Sequence, residues 1–132
     1  MILVDTSVLI SYFKGKTNDA TGKFEKILDN NIPFGINNFI YQEILQGVSN
    51  EKDFAKLKEY LGTQRFYELK NGRRSYEESA IMYYKCRKAG FTIKSTIDFL
   101  IAQTAIENNL LLLHDDNDYI QISKVIKEFK VY

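Results

Sequence analysis

The sequence predicts an α/β domain, a parallel sheet covered by helices, and two observations carry that prediction. Short apolar runs rich in branched side chains alternate with stretches whose apolar residues recur at helical spacing. Two of the runs, Ile2-Leu3-Val4 and residues 110–113, stop abruptly at acids: Asp5-Thr6-Ser7 follows one, His114-Asp115-Asp116 the other. Buried strands that pass directly into capped helices read this way. No repeat or linker interrupts the 132 residues, so one domain over residues 1–132 is expected, long enough to bury a core without staples.

The elements follow in order. Ile2–Val4 is a strand, and Asp5-Thr6-Ser7 caps a helix whose Val8, Leu9, Tyr12 and Phe13 recur until Lys14-Gly15 stops it. A second helix is predicted over 20–30, with Phe24, Ile27 and Leu28 inward. Pro33-Phe34-Gly35-Ile36 makes a short strand, and Asn37 or Asn38 caps a helix reaching Gly47. Residues 51–61 repeat the helical pattern through Phe54, Leu57 and Leu61, and Gly62 closes it. A strand is expected at 66–69, then a long amphipathic helix at 76–89 ended by Gly90. Ser95 or Thr96 caps a helix to about Asn108. The leucine run 110–113 is a strand, 119–123 a turn of helix, and 129–131 the last strand.

Composition narrows the function. With 45% hydrophobic and 27% charged residues, the chain is neither disordered nor fibrous. Its one cysteine, Cys86, excludes an internal disulfide, and no Cys/His cluster offers a zinc site. No run approaches the roughly 18 apolar residues that span a membrane. No export leader is legible, because Asp5 interrupts the first apolar run; a soluble, cytoplasmic protein is expected. Eighteen basic against seventeen acidic residues give a net charge of +1, low for a protein that only grips phosphate backbones. Balance still permits separate acidic and basic regions.

Four acids stand where acids are costly. Asp5 and Asp116 fall just beyond buried strands, where open α/β sheets bind ligands. Glu43 follows Phe39 by four residues and Ile40 by three, which puts it on the apolar stripe of its helix. Asp98 precedes Ile101 and Ala102 by three and four. Taken singly, Asp5 reads as a helix cap, Asp98 as a first-turn acid, Glu43 as a rim residue, and Asp115, Asp116 and Asp118 as turn residues. Together they read as a cluster: dry carboxylates cost several kcal/mol each and repel one another unless a cation joins them. An oxygen-only donor set suits Mg²⁺ or Mn²⁺.

In four places the residues resemble bacterial PIN domains of the VapC type, over nearly the full chain. Asp5-Thr6-Ser7-Val8-Leu9-Ile10 is similar to the family's opening strand end and first acid. Glu43-Ile44-Leu45-Gln46-Gly47 resembles its E-[LI]-x-x-G helix, and Ile97-Asp98-Phe99-Leu100-Ile101-Ala102 its D-x-L-I-A segment. The stretch from Leu112 to Tyr119 looks like L-x-T-x-D-x-D-F, with the fourth acid at Asp116 and an accessory one at Asp118. The resemblance implies a three-layer α/β/α fold around a five-stranded parallel sheet. It also implies Mg²⁺ or Mn²⁺ dependence, endonucleolytic cleavage of RNA, a homodimer, and a small VapB-like antitoxin that masks the site. Two departures stand out: His114 replaces a usual Thr or Ser, and Tyr119 a usual Phe.

The expected chemistry is therefore hydrolysis of RNA phosphodiester bonds by a metal-activated water. Asp5, Glu43, Asp98 and Asp116 hold the ion and Asp118 assists. No pattern suggests a Ser or Cys nucleophile; Thr6 and Ser7 support the first acid or cap the helix. His114 reads as a packing residue as readily as an active-site one. Lys14 and Lys16, close to the expected crevice, are the favoured RNA-binding cations over the groups Lys70, Arg73, Arg74 and Lys85, Arg87, Lys88, Lys94. Alternatives are a deoxyribonuclease or structure-specific nuclease of similar fold, and a Mg²⁺-binding receiver-like domain, against which Glu43 argues.

Overall fold

A computed structural model describes all 132 residues. Seven helices surround five strands, in the order β1 (Ile2–Val4), α1 (Thr6–Phe13), α2 (Asp19–Asp29), β2 (Phe34–Ile36), α3 (Asn38–Gln46) and α4 (Glu51–Gly62). There follow β3 (Arg65–Phe66), α5 (Arg73–Lys88), α6 (Thr96–Glu107), β4 (Leu111–Leu113), α7 (Asn117–Val125) and β5 (Lys130–Val131). The strands form one all-parallel sheet in the order β3-β2-β1-β4-β5.

All three residues of β1 are buried, as expected where helices cover both faces of a sheet. Leu3, Ile36 and Leu112 from the strands pack with Phe24, Phe99 and Tyr119 from the helices in one continuous core. Burying a side chain of this size stabilises the fold by about 1.5–3 kcal/mol, so the core outweighs any single cap or ion pair. Helix ends are set locally. Asn18, Asn37 and Asn50 accept a backbone N–H at the starts of α2, α3 and α4. Gly90, at φ +92°, ends α5 by donating to the Arg87 carbonyl while Phe91 N–H reaches the Cys86 carbonyl. At Gly35 a Cβ would lie 2.5 Å from the Arg65 carbonyl oxygen, so β2 and β3 meet closely only because that residue is glycine.

Three boundaries differ from the sequence reading. The strand expected at 66–69 is Arg65–Phe66. Tyr67 N–H still donates to the Ile36 carbonyl at 2.8 Å, but Glu68 O and Lys70 N–H then turn to Asn108 and Glu107 on α6 and leave the sheet. Helix α5 begins at Arg73 rather than 76, after Gly72 at φ +55°, with no side-chain cap to announce it. Helix α7 runs over Asn117–Val125, longer than the expected turn, because the Asp116 carboxylate caps it. At the start of α6, Ser95 occupies the cap position without a side-chain hydrogen bond.

The topology fixes where chemistry can sit. From β1 the chain builds outward through β2 and β3, then returns to the other side of β1 for β4 and β5. The crevice beyond the carboxyl ends of β1 and β4 lies at that reversal, the usual ligand position in open α/β sheets.

Candidate active site

Register brings the first and last acidic segments together. Val4 pairs with Leu113, and Asp5 N–H donates to the Leu113 carbonyl at 2.9 Å, so Asp5 sits beside His114-Asp115-Asp116. Asp5 is both cap and site residue. Its Oδ2 accepts from Ser7 N–H at 3.1 Å and from Ser7 Oγ at 2.6 Å. The Ser7 hydroxyl in turn accepts from Asp115 N–H at 3.1 Å, tying the loop after β4 to the first helix. Asp5 is only 5% exposed, and burial raises its pKa although these donors and Tyr119 pull it down.

Asp98, in the first turn of α6, joins Asp116 and Asp118 at the start of α7. One carboxylate oxygen from each lies within 4.8 Å of the others. Asp116 Oδ1 accepts from Asp118 N–H at 2.9 Å, so the cap that starts α7 also fixes the distance between these two acids. The Asp98 carboxyl is pushed up to about 7, first by burial, then by the charges of Asp5 and Asp116. Burial and Asp116 likewise raise Asp118, while Lys94 lowers it. Glu43 stands beside this group. Its Oε1 accepts from Thr6 Oγ1 at 2.9 Å, and burial raises it, with Asp5 adding to the shift. Thr6 thus supports the second acid and Ser7 the first.

The Tyr119 hydroxyl donates to Asp5 Oδ1 at 3.0 Å and to Asp98 Oδ1 at 3.2 Å, and so links the two sides of the crevice. The sequence signals this hydroxyl only by a tyrosine at a position that the family usually fills with phenylalanine. His114 accepts the Asp116 N–H through Nδ1 at 3.1 Å, and its ring packs 5.3 Å from that of Tyr119. Burial lowers its pKa against the opposing pull of Asp5, Asp116 and Asp115. The imidazole is thus a turn-shaping acceptor, with Nε2 left over.

The expected RNA-binding lysines lie past the C-terminal end of α1. Lys14 lines a groove of about 630 Å³ with Ile10, Phe13, Ile44, Val48 and Leu57, and Lys16 is exposed. The cations whose charge reaches the site are Lys94, which acts on Asp118, and Lys23, which acts on His114.

The donor set is carboxylate oxygen throughout, and it lacks enough hydrogen-bond donors to neutralise it. That fits a hard divalent cation. Such a site, at the carboxyl end of a five-stranded parallel sheet, agrees with what comparison finds. Residues 2–125 match the PIN domain, and the chain belongs to that family. It is 26% identical over 126 residues to ribonuclease VapC11 of Mycobacterium tuberculosis and to a VapC ribonuclease of Mycobacterium bovis, covering 95% of this chain and 93% of each relative. In fold it resembles a chain of VapBC2 from Rickettsia felis, bound to a DNA fragment from its promoter, with a TM-score of 0.74 at 20% identity. That match covers 100% of this chain and 98% of the other. A toxin–antitoxin complex from Klebsiella pneumoniae matches with a TM-score of 0.70 at 18% identity, over 99% and 100% of the two chains.

Proposed function

We propose that this chain is a metal-dependent endoribonuclease, the toxin of a VapBC-type toxin–antitoxin pair. The observation that carries the reading is the convergence of Asp98, Asp116 and Asp118 within 4.8 Å at the head of the sheet, beside Asp5 and Glu43. The relatives named as VapC ribonucleases support RNA as the substrate. The toxin–antitoxin complexes among the similar structures support a small antitoxin as the partner.

In this reading Asp5, Asp98 and Asp116 hold a Mg²⁺ or Mn²⁺ ion, with Glu43 and Asp118 completing its surroundings. When bound, the cation supplies the positive charge that acidifies water and offsets charge building on the phosphate. The chain's own residues orient the rest. Thr6 fixes Glu43 through Oε1 and leaves Oε2 to take a proton from the attacking water. Ser7 holds Asp5 through Oδ2, while Oδ1 accepts from the Tyr119 hydroxyl. His114 spends Nδ1 on the Asp116 amide, so only Nε2 is left to donate to the substrate. Lys94 beside Asp118 and Lys23 beside His114, with Lys14 and Lys16, supply the phosphate-binding charge on an otherwise acidic crevice.

The same reading places the chain in the cytoplasm as a homodimer. Exposed Tyr76, Ile81, Tyr83 and Tyr84 on α5 supply the apolar surface for a second copy. The groove beside Lys14, lined by Phe13, Ile44 and Leu57, suits an apolar antitoxin segment. No helix is long and apolar enough to cross a membrane.

The test is cleavage of a defined RNA with Mg²⁺ or Mn²⁺, before and after chelation. Wild-type protein should cut only with the ion, and Asp5→Ala and Asp98→Ala should not cut. Full activity in either variant would remove the acid cluster from the mechanism.

A further inference from the structure

Tyr119 stands out among the residues around the acids because its polar atom has no other work. The ring is 1% exposed, wedged between His114 and Phe129, with centroids 5.3 and 6.1 Å away. Its hydroxyl makes two contacts, to Asp5 Oδ1 at 3.0 Å and to Asp98 Oδ1 at 3.2 Å. Asp5 comes from the end of β1, Asp98 from the start of α6 and Tyr119 from α7. One phenolic hydroxyl therefore spans carboxylates supplied by two elements, from a third, one of them buried and the other half-buried. A ring in this pocket needs no hydroxyl to fill it. A buried hydroxyl costs free energy unless it is matched, and here both of its matches are acids.

We propose that the Tyr119 hydroxyl is a positioning residue for the cation site: it holds the Asp5 and Asp98 carboxylates at a fixed separation and orientation, so that the ion meets a preformed pair. The inference rests on the metal-site reading above. Without the hydroxyl, the buried Asp5 and half-buried Asp98 carboxylates face each other with no donor between them, and they swing apart or turn to other partners. The ion must then bring them together at its own cost. Ser7 takes Asp5 Oδ2, and Tyr119 is the side-chain donor that meets Oδ1. Hydrogen bonds of this kind, one step removed from a metal, typically set its affinity by a factor of roughly 10–100.

The experiment is Mn²⁺ titration by calorimetry, without RNA, on wild-type protein, Tyr119→Phe and Asp98→Ala. Tyr119→Phe removes one oxygen and keeps the packing of the ring, so the variant should fold, as circular dichroism would confirm. Its Kd for Mn²⁺ should rise about tenfold. Its deficit in RNA cleavage should narrow as Mn²⁺ is raised, the mark of lost metal affinity rather than lost chemistry. Packing alone would leave both readouts at wild-type values, and an unchanged or lower Kd in Tyr119→Phe overturns the proposal. Asp98→Ala separates the two levels: Mn²⁺ binding equal to wild type there would refute the metal site itself. Loss of binding in Asp98→Ala beside a wild-type Kd in Tyr119→Phe would refute only the role of Tyr119.

Discussion

At the C-terminal end of α6, two carboxylates share one buried amide. Gln103 Nε2 donates to Glu78 on α5 and to Glu107, each at 2.8 Å, and Lys70 N–H donates to Glu107 at 2.6 Å. Glu78 also pairs with Arg74 at 3.0 Å. Although burial pushes Glu107 up, the Lys70 and Gln103 donors carry it below the usual range. Nine residues before Glu107 on the same helix, Asp98 meets Asp116 and Asp118 with one shared phenol as its donor, and its carboxyl rises to about 7. Both ends gather acids; what differs is the supply of donors. A surplus makes a clasp that ties a loop and two helices together. A deficit makes a place that only a cation or added protons can satisfy.

The sharpest way to break this contrast is to delete a carboxylate at each end. Asp98→Ala should lower Mn²⁺-dependent RNA cleavage by at least about a hundredfold, more than a residue one step removed from the metal costs. Glu107→Ala should leave cleavage within a few-fold of wild type. Comparable losses in the two variants would mean that the donor-rich end also takes part in the chemistry. Next in size is the effect of pH on the ion. With its carboxyl at about 7, metal-free Asp98 carries a proton below that pH, and binding must expel it. The Mn²⁺ Kd should therefore weaken by up to about tenfold per pH unit below 7 and level off above it. A flat profile from pH 5.5 to 8 would show that no proton leaves Asp98 when the ion binds, and so that its carboxyl is not raised as the donor deficit requires.

The contrast also explains what was readable in the sequence. Asp5, Glu43, Asp98 and Asp116 were legible because each breaks a local rule, an acid on an apolar stripe or straight after a buried strand. Most strands and helices were legible from periodicity and from cap residues such as Asn37 and Gly90. The start of α5 was not, because Gly72 caps it without a side chain. Nor was the end of β3, which depends on Asn108 and Glu107, some 40 residues away in the chain. The same kind of distance hid the Tyr119 hydroxyl: its partners are 114 and 21 residues away, beyond any local pattern. Thr6 and Ser7 were singled out as neighbours of the first acid. That they divide their support, Thr6 to Glu43 and Ser7 to Asp5, follows from how α1 and α3 pack.

The two ends should also differ in stability. Glu107→Ala removes one of two partners from the Gln103 amide and the partner of the exposed Lys70 N–H, and should cost about 0.5–1.5 kcal/mol in urea unfolding. A loss under about 0.5 kcal/mol would mean that water replaces the clasp freely.

Asp98→Asn should do the reverse. In the metal-free chain the folded-state carboxyl sits at about 7, against the 3.8 of a free aspartate that an unfolded chain approaches. Between those two pH values the folded state holds a proton that the unfolded state has released. Stability from this group is thus complete below about pH 4 and is lost as pH rises through 7. Asparagine keeps an acceptor for Tyr119 but cannot ionise. At pH 7.5 the variant should therefore be more stable than wild type by about 1 kcal/mol, the full shift being discounted because water still reaches part of the carboxylate. At pH 4 the two should unfold together. Saturating Mn²⁺ should reverse the order at pH 7.5, since only wild type gains from binding. A metal-free Asp98→Asn that is less stable than wild type at pH 7.5 would mean that the acid already has its partners, as Glu107 does, and that the two ends of α6 are alike.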